Sequence, residues 1–187
     1  MYTLKLNLGC GSKYLDGYVN VDVIGAPDIL HDLETFPWPW IDNSVSEISL
    51  VHVLEHLGHD FPVFKKIIQE MYRVCRHSAI IQITVPHPRH DTYLADPTHV
   101  RPILGDTIHL LSRKKNLEFQ AQGWSNSCLA LDLNVDFELE NIEYRLDERW
   151  LRKLKEGLVN ADVVCEAALE RCNVIESLEM RVRVVKN

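Results

Sequence analysis

The sequence contains no apolar run that approaches the about 20 residues needed to cross a membrane, so no transmembrane helix is predicted. Basic residues are in the minority: 20 Lys and Arg against 27 Asp and Glu give a formal net charge of −7. Because proteins bind nucleic-acid phosphates mainly through Lys and Arg, this balance argues against a nucleic-acid partner. Arg149, Arg152, Lys153 and Lys155 fall on one predicted helix, and we interpret them as its solvated face.

Paired cysteines are also missing. The five cysteines are far apart in the sequence and include no C-x-x-C pair, which excludes a recognisable zinc knuckle or dithiol redox motif. An odd number of cysteines in a chain without a signal peptide indicates reduced thiols, so a cytoplasmic protein is expected. Cys10 lies within a glycine turn, where we interpret it as a small packing residue rather than a nucleophile.

The dinucleotide-binding fingerprint G-x-G-x-x-G is incomplete. The strand-like run 4–8 leads into Gly9-Cys10-Gly11, but Tyr14 occupies the position of the third glycine. Asp22 ends the next strand-like run and follows Gly11 by eleven residues, too few for a crossover helix and a strand. A pyrophosphate would then lose the helix N-terminus that normally holds it. The pattern therefore predicts a nucleoside ligand without phosphates, with a ribose on the Asp22 carboxylate.

Hydrophobic periodicity predicts alternating strands and helices within a single domain, 1–187. This order is typical of an α/β doubly wound sheet, in which ligands bind at the carboxyl ends of the strands. The aromatic segment Phe36–Trp40 either walls off a ligand or packs in the core. The predicted strands are 4–8, 18–23, 28–32, 45–50, 79–85, 136–146 and 178–185, and the predicted helices are 61–75, about 103–112 and 150–171.

Five segments resemble the successive motifs of class I S-adenosylmethionine (SAM)-dependent methyltransferases, in a compact, type 11-like branch. They are LNLGCG at 6–11, VNVD at 19–22, HDL at 31–33, LVHVLEH at 50–56 and ITVP at 83–86, so the resemblance covers roughly residues 4–100. It implies a Rossmann-like, mostly parallel seven-stranded sheet with an antiparallel last strand. The short Gly11–Asp22 spacing predicts that the first crossover helix is short or missing.

The resemblance also implies SAM as the cofactor and assigns residues to it. The backbone of the glycine turn would approach the methionine end, with Lys13 beside its carboxylate. Asp22 would bind the ribose hydroxyls, and Asp32 with Leu33 would hold the adenine. The full set assigned to the cofactor is Gly9, Cys10, Gly11, Lys13, Asp22, Val23, Asp32, Leu33 and His52.

The segment His52–His56 has two interpretations. His52 and His56 are four residues apart, which on a helix places both imidazoles on one face, and with Glu55 they match the H-x-x-E-H order of inverted zinc peptidases. A zinc-dependent hydrolase is therefore one alternative function. However, the sequence identifies no third ligand, and the VLEH string occurs in the methyltransferase branch, where it lines the cofactor pocket and the substrate mouth. We therefore expect no metal, and we assign His56 to the substrate.

The segment that follows the fifth predicted strand is unusually polar. PHPRHD at 86–91 and DPTHVR at 96–101 contain three histidines, two arginines and two aspartates. A loop at this position faces the ligand, and imidazole titrates near neutral pH. We expect His87 or His99 to act as a general base, and His90, Arg89 and Arg101 to bind the substrate.

These patterns predict a SAM-dependent methyltransferase that moves a methyl group to an oxygen or nitrogen atom of a small-molecule acceptor. The protein would mainly align the acceptor with the electrophilic methyl group and remove a proton. A non-catalytic module that binds SAM or S-adenosylhomocysteine (SAH), or a subunit of a modifying complex, is a second alternative. A chain that lacks the first helix has little material with which to cover an acceptor.

Overall fold

The computed structural model describes residues 3–186, which form a seven-stranded sheet flanked by helices. The strand order is β3-β2-β1-β4-β5-β7-β6, and β7 is antiparallel to both of its neighbours. The predicted Rossmann-like sheet with an antiparallel last strand is confirmed. The strands are β1 (Leu4–Leu8), β2 (Val19–Asp22), β3 (Ile29–Leu30), β4 (Val45–Val51), β5 (Cys75–Pro86), β6 (Phe137–Leu146) and β7 (Ile175–Val184).

The helices lie in the connections after β4. The apolar residues of the first helix recur every three or four positions and are buried, which packs that helix on the sheet. Within residues 3–186, no helix is long and apolar enough to span a membrane. The helices are α1 (Phe61–Val74), α2 (Asp91–Leu94), α3 (Gly105–His109), α4 (Arg113–Ala121), α5 (Leu129–Leu133), α6 (Glu148–Lys155) and α7 (Ala161–Glu170), with a 3₁₀ turn at Leu54–His56.

The bounds predicted for two helices were wrong. The helix expected over 150–171 is two helices, because Gly157 has a φ of +70°, which no right-handed helix accommodates. The Asn160 side chain then accepts a hydrogen bond from Val163 N at 2.9 Å and caps the start of α7. The helix expected over about 103–112 is only α3, because a new helix begins after Ser112, whose side chain caps α4.

The connection between β1 and β2 contains no helix, as predicted. Residues 9–18 form turns that are held by two buried asparagines. Asn7 Nδ2 donates to the Lys13 carbonyl and to Asn20 Oδ1, both at 2.9 Å. Asn20 Oδ1 also accepts from Leu15 N at 2.8 Å, and Asn20 Nδ2 donates to Asp28 at 2.9 Å. A polar network therefore takes the place of the helix in fixing this loop.

The aromatic segment packs in the core. Trp38 and Trp40 are buried, and their rings meet edge to face with centroids 5.8 Å apart. The indole Nε1 of Trp38 donates to the Leu33 carbonyl at 3.0 Å, which satisfies its polar atom. Of the two interpretations of this segment, the structure supports core packing.

The β6–β7 ladder carries charged side chains on one face. Oppositely charged residues form ion pairs between the two strands, of which Glu138 and Arg183 are directly opposite in the register. These pairs are half exposed, so each contributes little to stability. They are Arg145–Glu179 at 2.7 Å, Arg181–Glu140 at 3.0 Å and Arg183–Glu138 at 2.6 Å.

Candidate functional site

The glycine turn after β1 is tight on one side and open on the other. Gly9 has a φ of +64°, and a Cβ there would lie 2.5 Å from Val53 Cγ2, so only glycine fits. Cys10 N donates to the Val21 carbonyl at 3.0 Å and ties the turn to β2. Gly11 also has a positive φ, +53°, but no atom lies within 4 Å of the position of its Cβ. The backbone at Gly11 is therefore accessible to a ligand.

Asp22 joins this turn to the end of β2. Its Oδ2 accepts from Gly11 N at 2.8 Å, and its Oδ1 accepts from Val23 N at 2.7 Å and Ile24 N at 3.2 Å. These bonds fix the carboxylate, and the second lone pair of Oδ2 remains available to an external donor. The Val23 side chain is 57% exposed beside it. Lys13 lies on the same loop and is exposed.

Cys10 is a packing residue in this turn. Burial raises the pKa of its thiol, and the negative charge of Asp22 raises it further. The thiol therefore stays protonated near neutral pH and is a poor nucleophile. This agrees with its interpretation from the sequence.

The residues assigned to the adenine differ in accessibility. Asp32 follows β3, is exposed, and accepts a hydrogen bond from Glu34 N at 2.8 Å. Leu33 is 5% exposed and belongs to the main core, so little of its surface is left to cover a ring. Asp32 is thus accessible at the surface, whereas the Leu33 side chain contributes mainly to packing.

The chain reverses after β4 instead of continuing into an α-helix. His52 has a φ of +56°, and the following residues form the 3₁₀ turn. His52 and His56 therefore do not share one face of a helix, and the H-x-x-E-H zinc site is not assembled. The side chain of His52 is 49% exposed, and its Nδ1 lies 3.3 Å from Glu55 Oε1.

A different set of three residues comes together here. The Glu55 carbonyl accepts from Val100 N at 2.8 Å, which brings the loop 96–101 against the 3₁₀ turn. The imidazoles of His56 and His99 have centroids 4.6 Å apart, and Tyr93 stacks on His99 at 5.0 Å. One ligand atom from each of Glu55, His56 and His99 lies within 4.8 Å of the other two. We refer to these three residues as the Glu55 cluster.

His87 is poorly arranged to act as a base. It is 8% exposed, and its Nδ1 accepts from Arg89 N at 3.2 Å, so in the neutral ring Nε2 carries the proton. Burial lowers the pKa of His87, and the charges of Arg89 and His90 lower it further. His87 is therefore neutral near pH 7 and presents a donor rather than a lone pair.

His90 links its loop to α6. Its Nε2 lies 3.2 Å from Asp147 Oδ2, and its Nδ1 accepts from Thr92 N at 3.2 Å. Asp147 also caps α6 by accepting from Arg149 N at 2.9 Å. Hydrogen bonds from Arg149 and His90 lower the pKa of Asp147 to about 2.

The two arginines assigned to the substrate are engaged within the protein. The Arg89 guanidinium donates to the Leu169 carbonyl at 2.8 Å and also to the Ala168 carbonyl. The Arg101 guanidinium donates to the Gly58 carbonyl and lies 4.0 Å from the centroid of the Phe64 ring. Both side chains thus hold loops in place in this conformation.

His87 and Arg89 also line one end of a large groove. The groove has a volume of about 570 Å³ and runs between α3, the strands β6 and β7, and α7. Most of its lining residues are apolar, and its size is in the range of small-molecule sites. The apolar residues are Leu104, Leu139, Ile142, Leu146, Val164, Ala168, Leu169 and Ile175.

The sequence interpretation missed several residues that shape this site. Asn7 and Asn20 orient the glycine turn, and a polar residue in the middle of each of two short apolar strands was the available signal. Thr98 and Tyr93 contact the imidazoles of the Glu55 cluster. No pattern in the sequence relates these two residues to His56, because the loop reaches it only through the fold.

No known family model matches this chain, and no curated protein matches it. Solved structures do match. A SAM-dependent methyltransferase from Archaeoglobus fulgidus is 18% identical with a TM-score of 0.59, over 96% of this chain and 85% of its own. A second SAM-dependent methyltransferase, from Methanosarcina mazei, is 14% identical with a TM-score of 0.53, and the match covers 98% of this chain and 92% of that protein. The [4+2]-cyclase SpnF is 15% identical with a TM-score of 0.56, and the match covers 99% of this chain and 76% of that protein.

The resemblance to class I SAM-dependent methyltransferases is confirmed at the level of the fold. The Rossmann-like sheet and its strand order extend over nearly the whole chain. A methyltransferase and a cyclase share this fold, so the fold alone does not determine the reaction.

Proposed function

We propose that this protein binds SAM at the glycine turn and transfers its methyl group to an oxygen or nitrogen atom of a small-molecule acceptor. The observation that carries the proposal is the joint geometry of Gly11 and Asp22. The open backbone of Gly11 and the fixed carboxylate of Asp22 meet at the carboxyl ends of β1 and β2. This suits a ligand with a ribose and no phosphates.

The rest of the cofactor would lie along the neighbouring strand ends. Asp32 is exposed after β3 and would accept a hydrogen bond from an exocyclic amine of the adenine. Val23 would contact the ring, since its side chain is exposed beside Asp22. His52, half exposed after β4, would contact the methionine end together with Lys13.

The acceptor would bind in the groove beside His87. An acceptor with an apolar body fits the lining, and the Nε2 proton of His87 would donate to one of its polar atoms. Of the two histidines expected to act as a base, only His99 has the required lone pair, and it lies in the Glu55 cluster rather than in the lining of this groove. Its Nδ1 lies 2.7 Å from the Tyr93 carbonyl and must donate, so its Nε2 is free to accept.

The experiment is calorimetry with SAM and SAH. Wild-type protein is expected to bind both, and Asp22→Ala is expected to weaken binding about 100-fold, because charge-assisted hydrogen bonds to the ribose are lost. Asp16→Ala is the matched control, since Asp16 is an exposed acid of the same loop. It is expected to leave the affinity within about threefold.

Two results would contradict the proposal. The first is the absence of binding by wild-type protein to either compound at millimolar concentration. The second is binding that Asp22→Ala leaves unchanged. Once binding is established, transfer of a radiolabelled methyl group to candidate acceptors separates an enzyme from a non-catalytic SAM-binding module.

A further inference from the structure

The carboxylate of Glu55 is buried without a hydrogen-bond partner. Glu55 is 0% exposed, and neither of its oxygens accepts a hydrogen bond from any residue between 3 and 186. His52 Nδ1 is 3.3 Å from Oε1 but is not oriented to donate to it. An uncompensated buried carboxylate costs several kcal/mol, so a native protein retains one where a positive group completes the site.

Both imidazoles of the cluster are held in the same tautomer by the loop 93–99. His99 Nδ1 donates to the Tyr93 carbonyl at 2.7 Å. Thr98 Oγ1 donates its proton to Asp96 Oδ1 at 2.6 Å and therefore accepts from His56 Nδ1 at 2.9 Å. In each neutral ring the Nε2 atom is left with a free lone pair. A donor bond from the other ring nitrogen is the arrangement that orients histidines as metal ligands.

We propose that Glu55, His56 and His99 bind one divalent metal ion of the class that prefers imidazole and carboxylate ligands, such as Zn²⁺ or Mn²⁺. Two imidazoles and one carboxylate form a donor set suited to these ions. Ligand atoms around a bound Zn²⁺ are about 3.3 Å apart, from bonds of about 2.0–2.1 Å. The ligand atoms here lie within 4.8 Å of one another, so small side-chain rotations bring them to an ion.

A metal ion accounts for all three residues of the cluster, and while it is bound the Nε2 lone pair of His99 is not available to act as a base. A base uses one lone pair, whereas here one nitrogen atom from each of two imidazoles and one oxygen atom of a buried carboxylate lie within 4.8 Å of one another. Three protein ligands also leave at least one coordination position open, as in catalytic rather than structural zinc sites. The open position would accept an oxygen atom of water or of another small ligand. The metal site itself does not depend on methyl transfer.

The test is metal binding by the whole chain after treatment with a chelator. Titration calorimetry with Zn²⁺ and with Mn²⁺ is expected to show one ion per chain. The exposed Cys165 and Cys172 are first replaced by serine, because thiols at the surface bind Zn²⁺ independently. Glu55→Gln and His99→Gln are each expected to weaken binding at least 100-fold. The visible absorption of bound Co²⁺, which reports its ligands, is expected to change in His99→Gln.

Two variants serve as controls. His109→Gln replaces a histidine on α3 outside the cluster, and His52→Ala removes the imidazole nearest to Glu55 that is not a ligand; both are expected to bind metal within about threefold of wild type. If Glu55→Gln does not fold, Thr98→Val replaces it as the test. This variant keeps all three ligands but removes the hydrogen-bond acceptor that orients the His56 ring. It is expected to weaken metal binding 10- to 100-fold.

The proposal is overturned if neither ion binds saturably at 1 mM. It is equally overturned if Glu55→Gln and His99→Gln, both folded by circular dichroism, bind as the parent does, or if His52→Ala abolishes binding. SAM and SAH calorimetry is measured separately, so a failure of the metal site is distinguishable from a failure of the proposed function.

Discussion

At the scale of single residues, two glycines of one turn have the same backbone conformation for different reasons. Gly9 and Gly11 both have positive φ values, +64° and +53°. Around Gly9 the space is filled by Val53, whereas around Gly11 it is empty. The first glycine is therefore required by the folded protein itself. The second leaves the backbone of the turn open to solvent.

Gly9→Ala is expected to lower the free energy of unfolding by roughly 2–4 kcal/mol. The alanine must keep a positive φ, which is strained for a residue with a Cβ. That Cβ would also lie 2.5 Å from Val53 Cγ2, so the Val53 side chain must move. Gly123→Ala is the control, because Gly123 has a φ of +72° with nothing within 4 Å. Its cost is expected to be about 1–2 kcal/mol, from backbone strain alone. Urea unfolding measures both, and equal losses would show that the contact with Val53 is unimportant.

Asp147 makes stability depend on pH in the acid range. Its pKa falls from 3.8 in the unfolded chain to about 2 in the folded protein, chiefly through the bond from Arg149. The stability that the ionised Asp147 contributes to the fold is therefore present above pH 3.8 and is lost as the pH falls through about 2. Asp147→Asn is expected to remove about 2 kcal/mol of stability at pH 6 and little at pH 2. Denaturant midpoints at both pH values check this, and a constant difference would contradict it.

At the scale of secondary-structure elements, the main departure from an ordinary doubly wound fold is the absence of helices from the connections between β1 and β4. The connection between β1 and β2 is the one that forms the glycine turn. Side chains replace backbone hydrogen bonding here: Asn7 and Asn20 bind the Lys13 carbonyl and Leu15 N, and Asp28 binds Asn20 in turn. The position of the glycine turn thus depends on a few buried polar groups.

Asn20→Ala is expected to cost about 2–3 kcal/mol of stability and to weaken SAH binding about tenfold, because it leaves buried partners unsatisfied and loosens the turn. Asn116→Ala is the matched control. Asn116 is also buried, and its side chain donates to the Leu110 carbonyl at 3.0 Å and accepts from Ala130 N at 3.1 Å. It is expected to lose similar stability with unchanged SAH affinity. Equal effects of both variants on affinity would refute a local role for Asn20.

How much the sequence predicts also differs between elements. Strands with continuous apolar runs and the amphipathic α1 were predicted within a few residues. Burial of both faces of a strand produces an unbroken apolar run, and burial of one face of a helix produces a repeat of three or four residues. The break at Gly157 was missed, because a single glycine inside an amphipathic pattern is compatible with either a helix or a turn. The two segments that form the Glu55 cluster, 50–56 and 96–101, were recognised in the sequence as polar motifs. The sequence did not predict that these two segments come into contact, because the contact depends on a long-range backbone hydrogen bond from Val100 N to the Glu55 carbonyl.

At the scale of the whole molecule, the apolar interior consists of two unequal parts. The main core includes residues of all the strands from β1 to β7. A second cluster of three buried residues, Val164, Ala167 and Val174, lies between α6 and α7. Since stability scales with buried apolar area, the two parts are not expected to open together.

Hydrogen exchange measured by mass spectrometry is expected to show this difference. Amides of α6 and α7 should exchange at least tenfold faster than those of β4 and β5 under native conditions, because local opening exposes only the small cluster. Val164→Ala should accelerate exchange in α6 and α7 alone, whereas Ile48→Val should accelerate it throughout the sheet. Uniform protection across the chain would show that the two cores unfold as one unit.

The charged ladder of β6 and β7 has a consequence for solubility. β6 is an edge strand of ten residues, long enough to template pairing with another chain. Glu138, Glu140, Glu143 and Arg145 lie along it, and an edge-to-edge contact between two copies would have to accommodate these charged side chains. The opposite edge, β3, has only two residues and offers little backbone for pairing. Both edges of the sheet therefore oppose aggregation, one by its charge and the other by its length.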